Sequence, residues 1–412
     1  MNLNNKLWNL AKKVIPSGNN FLSKNPIRFN VKGWPIYFQK SKGCYVWDLN
    51  KRKYIDFTYM GVGTNILGYS NKKINSSVIN SIKKGNMTTL NCPEEPMFAK
   101  SLLEPHKWAK MVKFSRTGAE ANAIAIRIAR AYNKKNKVII CGYHGWQDWY
   151  LSAKLLKKNH MDTHLFPNLN TSGVPKFLKG YTYSVKYNDI KTLRHILEKD
   201  KDISALIMEV ERDVRPNINY LKQIRRLCDK FNTCLIFDEC TTGFRENFGG
   251  LHLKYKINPD MAMFGKAIGN GFSITAVIGK KKIMNSSLKS FISSTFWSER
   301  VGFVAGLATL KEMKRISSWK IIKKNGKYIK EKLKKISIKN NLKIEFSSLD
   351  TLIRFKLTNT KIKNYNKFIM FEMLKRGYLA NDVIYVSVAH TKKEIIKYLK
   401  NLEEVFSLLK KN

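Results

Sequence analysis

The sequence predicts an α/β fold, in which helices cover a mainly parallel sheet and a smaller α+β domain follows. Continuous apolar runs are typical of strands buried inside a parallel sheet. Such runs recur at residues 138–141, 205–208, 234–237 and 261–264. Helical stretches lie between them, for example at residues 220–230. Alternation of this kind indicates parallel strands that are joined through helices.

The two ends of the chain differ from this middle part. The first 60 residues contain short runs of alternating apolar residues separated by turn residues, which predict a small antiparallel sheet. From about residue 305 onward, lysine-rich amphipathic helices dominate. We therefore expect an N-terminal segment over residues 1–60, a large α/β domain over residues 61–304 and a small α+β domain over residues 305–412.

The chain carries a strong positive charge. Its 412 residues include 76 Lys and Arg against 30 Asp and Glu, which gives a formal net charge of +46. Such a charge attracts polyanions, so a basic nucleic-acid-binding protein is one candidate. Nucleic-acid binders usually concentrate their charge in one tail or stripe, whereas these lysines are spread over the whole length. We interpret the charge as background composition and expect no specific nucleic-acid partner.

Other global features favour a cytoplasmic globular protein. Hydrophobic residues make up 43% of the chain, which is ordinary for a protein with a packed core. No run approaches the roughly 18 apolar residues that span a bilayer. The N-terminus lacks the apolar segment of a signal peptide. The six cysteines form no CxxC pair, so we expect reduced thiols, no metal site and no membrane association.

The first candidate site is the turn that enters a predicted helix at Thr117. Small residues at a helix start leave N–H groups that converge on one point, which suits a phosphate. The Thr117 hydroxyl can add a donor. The alternative is a capping box formed by Thr117 and Glu120, and the turn taken alone favours this alternative.

Two further candidates follow predicted strands. Tyr143 and Trp146 come after the strand at residues 138–141, where aromatic rings suit stacking on a flat ligand, although ordinary core packing is the alternative. Asp238 ends the strand at residues 234–237. A buried carboxylate is costly unless it is paired, and a protonated ring nitrogen would be a suitable partner. The alternatives are capping of the next loop and a magnesium ligand.

The fourth candidate is Lys266. It follows the apolar strand at residues 261–264 and precedes a glycine-rich loop. A lysine amine in such a place can act as a nucleophile toward an aldehyde. For any single lysine, however, a solvated surface position is the default.

The order of these four features resembles that of fold-type I enzymes that depend on pyridoxal 5'-phosphate (PLP). The motifs are similar to those of the class III aminotransferases, in particular the branch of the glutamate-1-semialdehyde 2,1-aminomutases. The stretches that carry the resemblance are Tyr-His-Gly-Trp at 143–146, Phe-Asp-Glu-Cys-Thr-Thr-Gly-Phe-Arg at 237–245, Phe-Gly-Lys-Ala-Ile-Gly-Asn-Gly at 264–271 and Ser-Thr-Phe-Trp-Ser-Glu-Arg at 294–300. Shorter matches near both ends extend it over nearly the whole chain.

The resemblance implies a large domain with a mainly parallel seven-stranded sheet and a small domain built from the N- and C-terminal segments. It also implies that Lys266 binds PLP as an internal aldimine and that Asp238 pairs with the ring nitrogen. The other residues that it places at the cofactor are Thr117, Gly118, Ala119, Tyr143, His144, Glu209 and Thr241. A homodimer is implied as well, because Thr295 would complete the phosphate site of the neighbouring subunit.

Several positions depart from the family pattern around the cofactor. Ala119 stands where a threonine is usual, which removes one hydroxyl from the phosphate site. Arg116 stands where an asparagine is usual, and we expect its guanidinium to compensate in part. Cys240 and Thr241 replace the common Val-Gln, which puts a hydrogen bond to the hydroxyl of the PLP ring in doubt.

The residues on the substrate side depart further from the family pattern. Residues 59–65 do not reproduce the Ser-Trp-Gly stretch of the aminomutases, and no arginine aligns with the one that binds the substrate carboxylate. Lys24 falls near that position, but a lysine offers a point charge and not a bidentate fork. Lys24 and Glu299 are the candidate substrate contacts.

We therefore expect a PLP-dependent aminotransferase that moves an amino group from an amine or amino-acid donor to an aldehyde or ketone acceptor through the Lys266 aldimine. The alternative within the family is a glutamate-1-semialdehyde 2,1-aminomutase, in which both halves of the reaction act on one molecule. An inactive protein of the same fold is a further alternative, and the presence of Lys266 and Asp238 speaks against it.

Overall fold

The computed structural model describes residues 3–157, 159–161, 169–360, 362 and 364–411. Its helices are α1 (Leu3–Val14), α2 (Pro26–Phe29), α3 (Lys72–Ile82), α4 (Glu94–Leu103), α5 (Gly118–Asn133), α6 (Asp148–Leu151), α7 (Ile190–Lys199), α8 (Ile218–Lys230), α9 (Leu251–Tyr255), α10 (Lys281–Met284), α11 (Arg300–Ile316), α12 (Ser318–Lys339), α13 (Tyr365–Lys375) and α14 (Lys392–Lys411).

The strands are β1 (Phe38–Lys42), β2 (Tyr45–Asp48), β3 (Lys53–Phe57), β4 (Met111–Ser115), β5 (Lys137–Cys141), β6 (Thr182–Ser184), β7 (Ile203–Glu209), β8 (Cys234–Asp238), β9 (Met261–Phe264), β10 (Thr275–Gly279), β11 (Ile344–Phe346), β12 (Leu352–Leu357), β13 (Tyr378–Ala380) and β14 (Val383–Tyr385). The chain divides into two compact units. One unit comprises Met1–Asn75 with Ile316–Asn412, and the other comprises Ser76–Arg315.

The unit of residues 76–315 is built on a seven-stranded sheet with the order β4-β10-β9-β8-β7-β5-β6. Strand β10 runs antiparallel to both of its neighbours, and the other pairings are parallel. The predicted α/β fold with a mainly parallel sheet is therefore confirmed.

Burial explains why these segments form strands. Every residue of β7, β8, β9 and β10 is buried, so their side chains pack against helices on both faces of the sheet. Helix α5 contributes a continuous buried face that includes Ala121, Ile124, Ala125 and Ile128. Alternate hydrophobic residues of β5, β7, β8 and β9 join this face in one core cluster.

The other unit contains two smaller sheets. Strands β1, β2 and β3 pair antiparallel in sequence order, and β13 from the C-terminal segment pairs parallel with β3. The N-terminal and C-terminal segments thus share one sheet. Strands β11, β12 and β14 form a separate antiparallel sheet.

All six cysteines are free, and four of them are buried in the structure. Among the residues that the structure describes, no helix combines the length and apolar character needed to cross a membrane. Within the same described part of the chain, no group of three or more His, Cys, Asp or Glu side chains is arranged to hold a metal ion.

Candidate active site

The candidate site lies at the carboxyl ends of the parallel strands in the unit of residues 76–315. Strand β7 ends at Glu209 and β8 ends at Asp238, and these two residues are direct neighbours in the sheet. Strand β9 leads through Gly265 to Lys266, and β5 leads to Tyr143. Because parallel strands end at one edge of the sheet, four loops bring these side chains together.

Asp238 is the buried centre of a hydrogen-bond network. Its Oδ2 atom accepts from His144 Nδ1 at 2.8 Å and from Asn122 Nδ2 at 2.9 Å. Its Oδ1 atom accepts from the backbone amide of Cys240 at 3.0 Å. Since an ionised carboxylate only accepts hydrogen bonds, Nδ1 of His144 carries the proton.

The charge state of Asp238 follows from this network. Burial acts to raise the pKa of the carboxyl group, but the hydrogen bonds from His144, Cys240 and Asn122 outweigh burial. The pKa of Asp238 therefore lies below its ordinary value, and the carboxylate is ionised at neutral pH. Asp238 is only 4% exposed, so this negative charge is available to a partner in the site and is shielded from bulk water.

Lys266 is held in an unusual backbone conformation. It has a φ of +44°, in the left-handed region that lysine rarely adopts. Its amine donates to Thr241 Oγ1 at 2.8 Å. A Cβ atom at position 265 would lie 3.0 Å from both Cys240 Sγ and Thr275 Cγ2, so a larger residue before the lysine would push on these two side chains. The neighbouring Cys240 thiol is neutral, because burial raises its pKa to about 11.

The start of α5 forms the capping box that the sequence favoured. Thr117 Oγ1 accepts from the Glu120 amide at 3.3 Å, and Glu120 Oε2 accepts from the Thr117 amide at 2.8 Å. The amides of Gly118 and Ala119 have no hydrogen-bond partner among the described residues. The cap therefore uses Thr117 while it leaves two N–H groups at the positive end of the helix for an anion.

Tyr143 is half-buried and packs edge-on against Tyr150, with ring centroids 5.9 Å apart. Burial raises the pKa of Tyr143, so its ring stays neutral and suits stacking. Its backbone amide donates to Glu209 Oε2 at 3.1 Å. Trp146, in contrast, is 72% exposed, so core packing does not explain this aromatic residue.

Glu209 has a partner that the sequence did not indicate. Its Oε1 atom accepts from Arg212 Nη1 at 2.5 Å, and both side chains are nearly fully buried. The positive charge of the Arg212 guanidinium therefore balances the negative charge of the Glu209 carboxylate. This pairing places a guanidinium beside the sheet edge that carries Asp238.

Arg116 does not compensate for the hydroxyl that Ala119 lacks. Its guanidinium is committed to four backbone carbonyls: those of Phe296 at 2.7 Å, Ser273 at 3.2 Å, Trp297 at 3.2 Å and Glu299 at 2.6 Å. The planar fork of arginine suits this many acceptors. Arg116 thus fastens the segment that follows Thr295, and that part of our sequence interpretation was wrong.

The remaining predicted residues lie outside the hydrogen-bond network of Asp238 and Lys266. Thr295 is exposed, as is the adjacent Phe296 at 66%. Glu299 Oε1 accepts from Asn86 Nδ2 at 3.0 Å. Lys24 is exposed and belongs to the unit formed by the two ends of the chain.

Asn122 is a functional candidate that the sequence argument missed. Its Nδ2 donates to both Asp238 Oδ2 and the His144 carbonyl, each at 2.9 Å, and so joins the loop after β5 to the end of β8. The available signal was a polar residue on the apolar face of α5, where only a specific partner makes burial tolerable.

The polar groups of this site fit PLP. An ionised, buried carboxylate at Asp238 suits a protonated ring nitrogen, and the Lys266 amine suits an aldehyde. The unpartnered amides of Gly118 and Ala119 suit a phosphate. These three groups match the ring nitrogen, the aldehyde and the phosphate of this one cofactor.

The sequence matches a known family over most of its length. Residues 28–402 match the family described as aminotransferase class-III. A glutamate-1-semialdehyde 2,1-aminomutase of Wigglesworthia glossinidia brevipalpis is 34% identical, over 99% of this chain and 98% of the relative. A 3-aminobutyryl-CoA aminotransferase of Cloacimonas acidaminovorans (strain Evry) is 30% identical, over 98% of this chain and 97% of the relative.

Solved structures show the same fold. An omega-transaminase from Sphaerobacter thermophilus superposes with a TM-score of 0.87 at 19% identity and covers 100% of this chain and 98% of its own. A glutamate-1-semialdehyde aminomutase from Pseudomonas aeruginosa PAO1 superposes with a TM-score of 0.84 at 16% identity, over 98% and 94% of the two chains. The chain belongs to the class-III aminotransferases and is an enzyme of PLP-dependent amino transfer.

Proposed function

We propose that this protein is a transaminase in which Lys266 holds PLP and Asp238 binds the ring nitrogen of the cofactor. One observation carries the proposal. The ionised, buried carboxylate of Asp238 and the amine of Lys266 follow the ends of two neighbouring strands, β8 and β9. The donor is an amine or amino acid, and the acceptor is an aldehyde or ketone.

The bound cofactor supplies a reactive aldehyde and a ring that withdraws electrons from the substrate carbon. Asp238 accepts a hydrogen bond from the ring nitrogen, and its ionised state favours the protonated ring. The amides of Gly118 and Ala119 hold the phosphate at the start of α5. Tyr143 would stack on the ring, and His144 and Asn122 keep the Asp238 carboxylate in place.

Lys266 has a second role when the donor amine has replaced it. Its free Nζ atom would take a proton from the substrate carbon as general base and would later give that proton up as general acid. Because Lys266 follows Gly265 in a fixed left-handed conformation, its side chain starts from one defined position. The proton transfer therefore depends on the placement of a single amine.

The choice of a transaminase rests on the substrate side. The residues that hold the cofactor are present, whereas the residue pattern at 59–65 and the carboxylate-binding arginine of the aminomutases are not. An aminomutase is the second candidate, and the 34% identity to a protein of that name supports it. Turnover of glutamate-1-semialdehyde as the sole substrate would indicate the aminomutase, while a requirement for separate donor and acceptor would indicate the transaminase.

We also propose a cytoplasmic homodimer in which Thr295 reaches the phosphate site of the neighbouring subunit. Thr295 and Phe296 are exposed, and Leu288 and Phe291 nearby are 84% and 83% exposed. Neighbouring exposed apolar side chains of this size are typical of a protein interface. Arg116 holds the carbonyls that follow Thr295 and so presents this segment in a fixed form.

The amino-transfer proposal is tested by a half-reaction screen. The holoenzyme is mixed with candidate amines, and absorbance follows the conversion of the bound cofactor from its aldehyde to its amine form. Lys266→Ala should abolish the conversion, because the variant lacks the amine that moves the proton. Lys281→Ala removes an exposed lysine and should react at the wild-type rate. Conversion by Lys266→Ala at that rate would refute the mechanism.

The role of His144 is tested by the pH dependence of cofactor retention. His144→Phe keeps a ring but removes a donor, so burial dominates and the pKa of Asp238 rises. Because the wild-type pKa is low, the ionised carboxylate is lost only as pH falls well into the acid range. We expect the variant to release PLP at a higher pH than the wild type, measured by absorbance after gel filtration.

His195 offers a matched control for this experiment, since it is exposed on α7. His195→Phe should follow the wild-type release curve. If His144→Phe follows that curve too, His144 does not tune Asp238.

The exchange of Thr295 between subunits is tested by mixed dimers. Thr295→Ala should weaken PLP binding by roughly 10- to 100-fold, because one hydrogen bond to a charged group is lost. A dimer of one Lys266→Ala subunit and one Thr295→Ala subunit has one complete site only if Thr295 comes from the other subunit. We expect half of the wild-type activity at limiting PLP. Mixed dimers that stay as impaired as Thr295→Ala would show that Thr295 serves its own subunit.

A further inference from the structure

The hydroxyl group of Thr241 is the hydrogen-bond partner of the Lys266 amine. Lys266 Nζ donates to Thr241 Oγ1 at 2.8 Å, and Thr241 is only 5% exposed. Within the described part of the chain, this amine is the one hydrogen-bond partner of the hydroxyl. Neither a carboxylate nor a backbone carbonyl among those residues holds the amine. The contact is therefore the specific feature of this site that places the end of the lysine side chain.

The turn that carries Thr241 also carries Asp238, three residues earlier. The Cys240 amide donates to Asp238 Oδ1 at 3.0 Å, and the Gly243 amide donates to the Glu239 carbonyl at 2.7 Å. One tight turn thus presents both the carboxylate for the ring nitrogen and the hydroxyl for the amine. The distance between these two groups is fixed by the turn.

A buried network behind the turn makes it rigid. The Glu239 carboxylate accepts from the Thr242 hydroxyl, from the amides of Leu251 and His252, and from His252 Nδ1 at 2.8 Å. His252 Nε2 in turn accepts from Trp108 Nε1 at 3.1 Å. Glu239 and His252 are both fully buried. Because the Glu239 carboxylate accepts hydrogen bonds from Thr242, Leu251 and His252, the turn cannot shift without the loss of several of them.

We propose that Thr241 is a positioning residue that holds the Lys266 amine whenever the amine is not joined to the cofactor. A hydroxyl group can accept from an ammonium and can donate to a neutral amine, so it serves both protonation states through which the lysine passes. A carboxylate would accept from the ammonium but could not donate to the neutral amine. An apolar side chain would form a hydrogen bond with neither form of the lysine. This inference rests on the proposed function and adds to it how Lys266 is kept within reach of the reacting atoms.

The role predicts two separate effects when the hydroxyl is removed. The free amine has no fixed position, so the proton transfer slows while the binding of the donor is unchanged. The same amine also attacks the cofactor aldehyde less effectively, so loading of PLP onto the apoprotein slows. Each effect should be about tenfold, the size associated with one hydrogen bond in a buried site.

Three variants separate the hydroxyl from the shape of the side chain. Thr241→Val keeps the shape and removes the hydroxyl, whereas Thr241→Ser keeps the hydroxyl and removes the methyl group. Thr309→Val is the matched control, because Thr309 is fully buried in α11 and its hydroxyl has no hydrogen-bond partner among the described residues. Should Thr241→Val be unstable in thermal unfolding, Thr241→Ala replaces it as the variant without a hydroxyl.

Two measurements are made on each protein. The first is kcat and KM for one fixed donor amine in the full reaction, with an excess of an acceptor that returns the cofactor to its aldehyde form. The second is the rate at which apoprotein mixed with PLP acquires label on Lys266, trapped with borohydride and counted by mass spectrometry. We expect Thr241→Val to lower kcat and the labelling rate about tenfold at an unchanged KM, while Thr241→Ser and Thr309→Val stay within about threefold of wild type.

The inference is overturned if Thr241→Val labels and turns over at wild-type rates, or if Thr241→Ser is impaired as strongly as Thr241→Val. The second outcome would assign the effect to packing of the methyl group. Failure of the proposed function looks different, since the wild-type protein would then acquire no label on Lys266 at all.

Discussion

A buried carboxylate needs hydrogen-bond donors, and the way in which Asp238 obtains them organises the site. Its donors come from three different elements: Asn122 on α5, His144 in the loop after β5, and the Cys240 amide in the turn after β8. The cost of burying a charge is offset only if all three elements meet in one arrangement. The same contacts that keep Asp238 ionised therefore also fix the loops that would surround the cofactor.

The second constraint is the connection between the turn at Thr117 and the segment after Thr295. Arg116 binds four carbonyls, and Trp297 Nε1 donates to Glu120 Oε1 at 3.2 Å, so the capping residue of α5 also contacts this segment. Arg116 thus supports the turn through these carbonyls and adds no hydroxyl donor to it.

Much of this architecture could be predicted from the sequence. The parts that could not be predicted have one cause in common. Apolar runs located β5, β7, β8 and β9, and the motif order pointed to Asp238 and Lys266. Pattern alone could not decide between capping and phosphate binding at Thr117, because the turn forms the cap and still leaves two amides unpartnered. The contacts of Asn122, Arg116 and Thr241 join residues that lie 22 to 183 positions apart. Such partners depend on how strands are ordered in the sheet, which no local pattern records.

In the proposed mechanism Asp238 keeps the ring nitrogen of the cofactor protonated, and ¹⁵N NMR measures that proton directly. The holoenzyme is loaded with PLP that carries ¹⁵N in the ring, and spectra are recorded at neutral pH for wild type and Asp238→Asn. The wild type should give the shift of a protonated ring nitrogen, and the variant should give that of an unprotonated one. An unprotonated nitrogen in the wild type, or the same protonated signal in both proteins, would contradict the account.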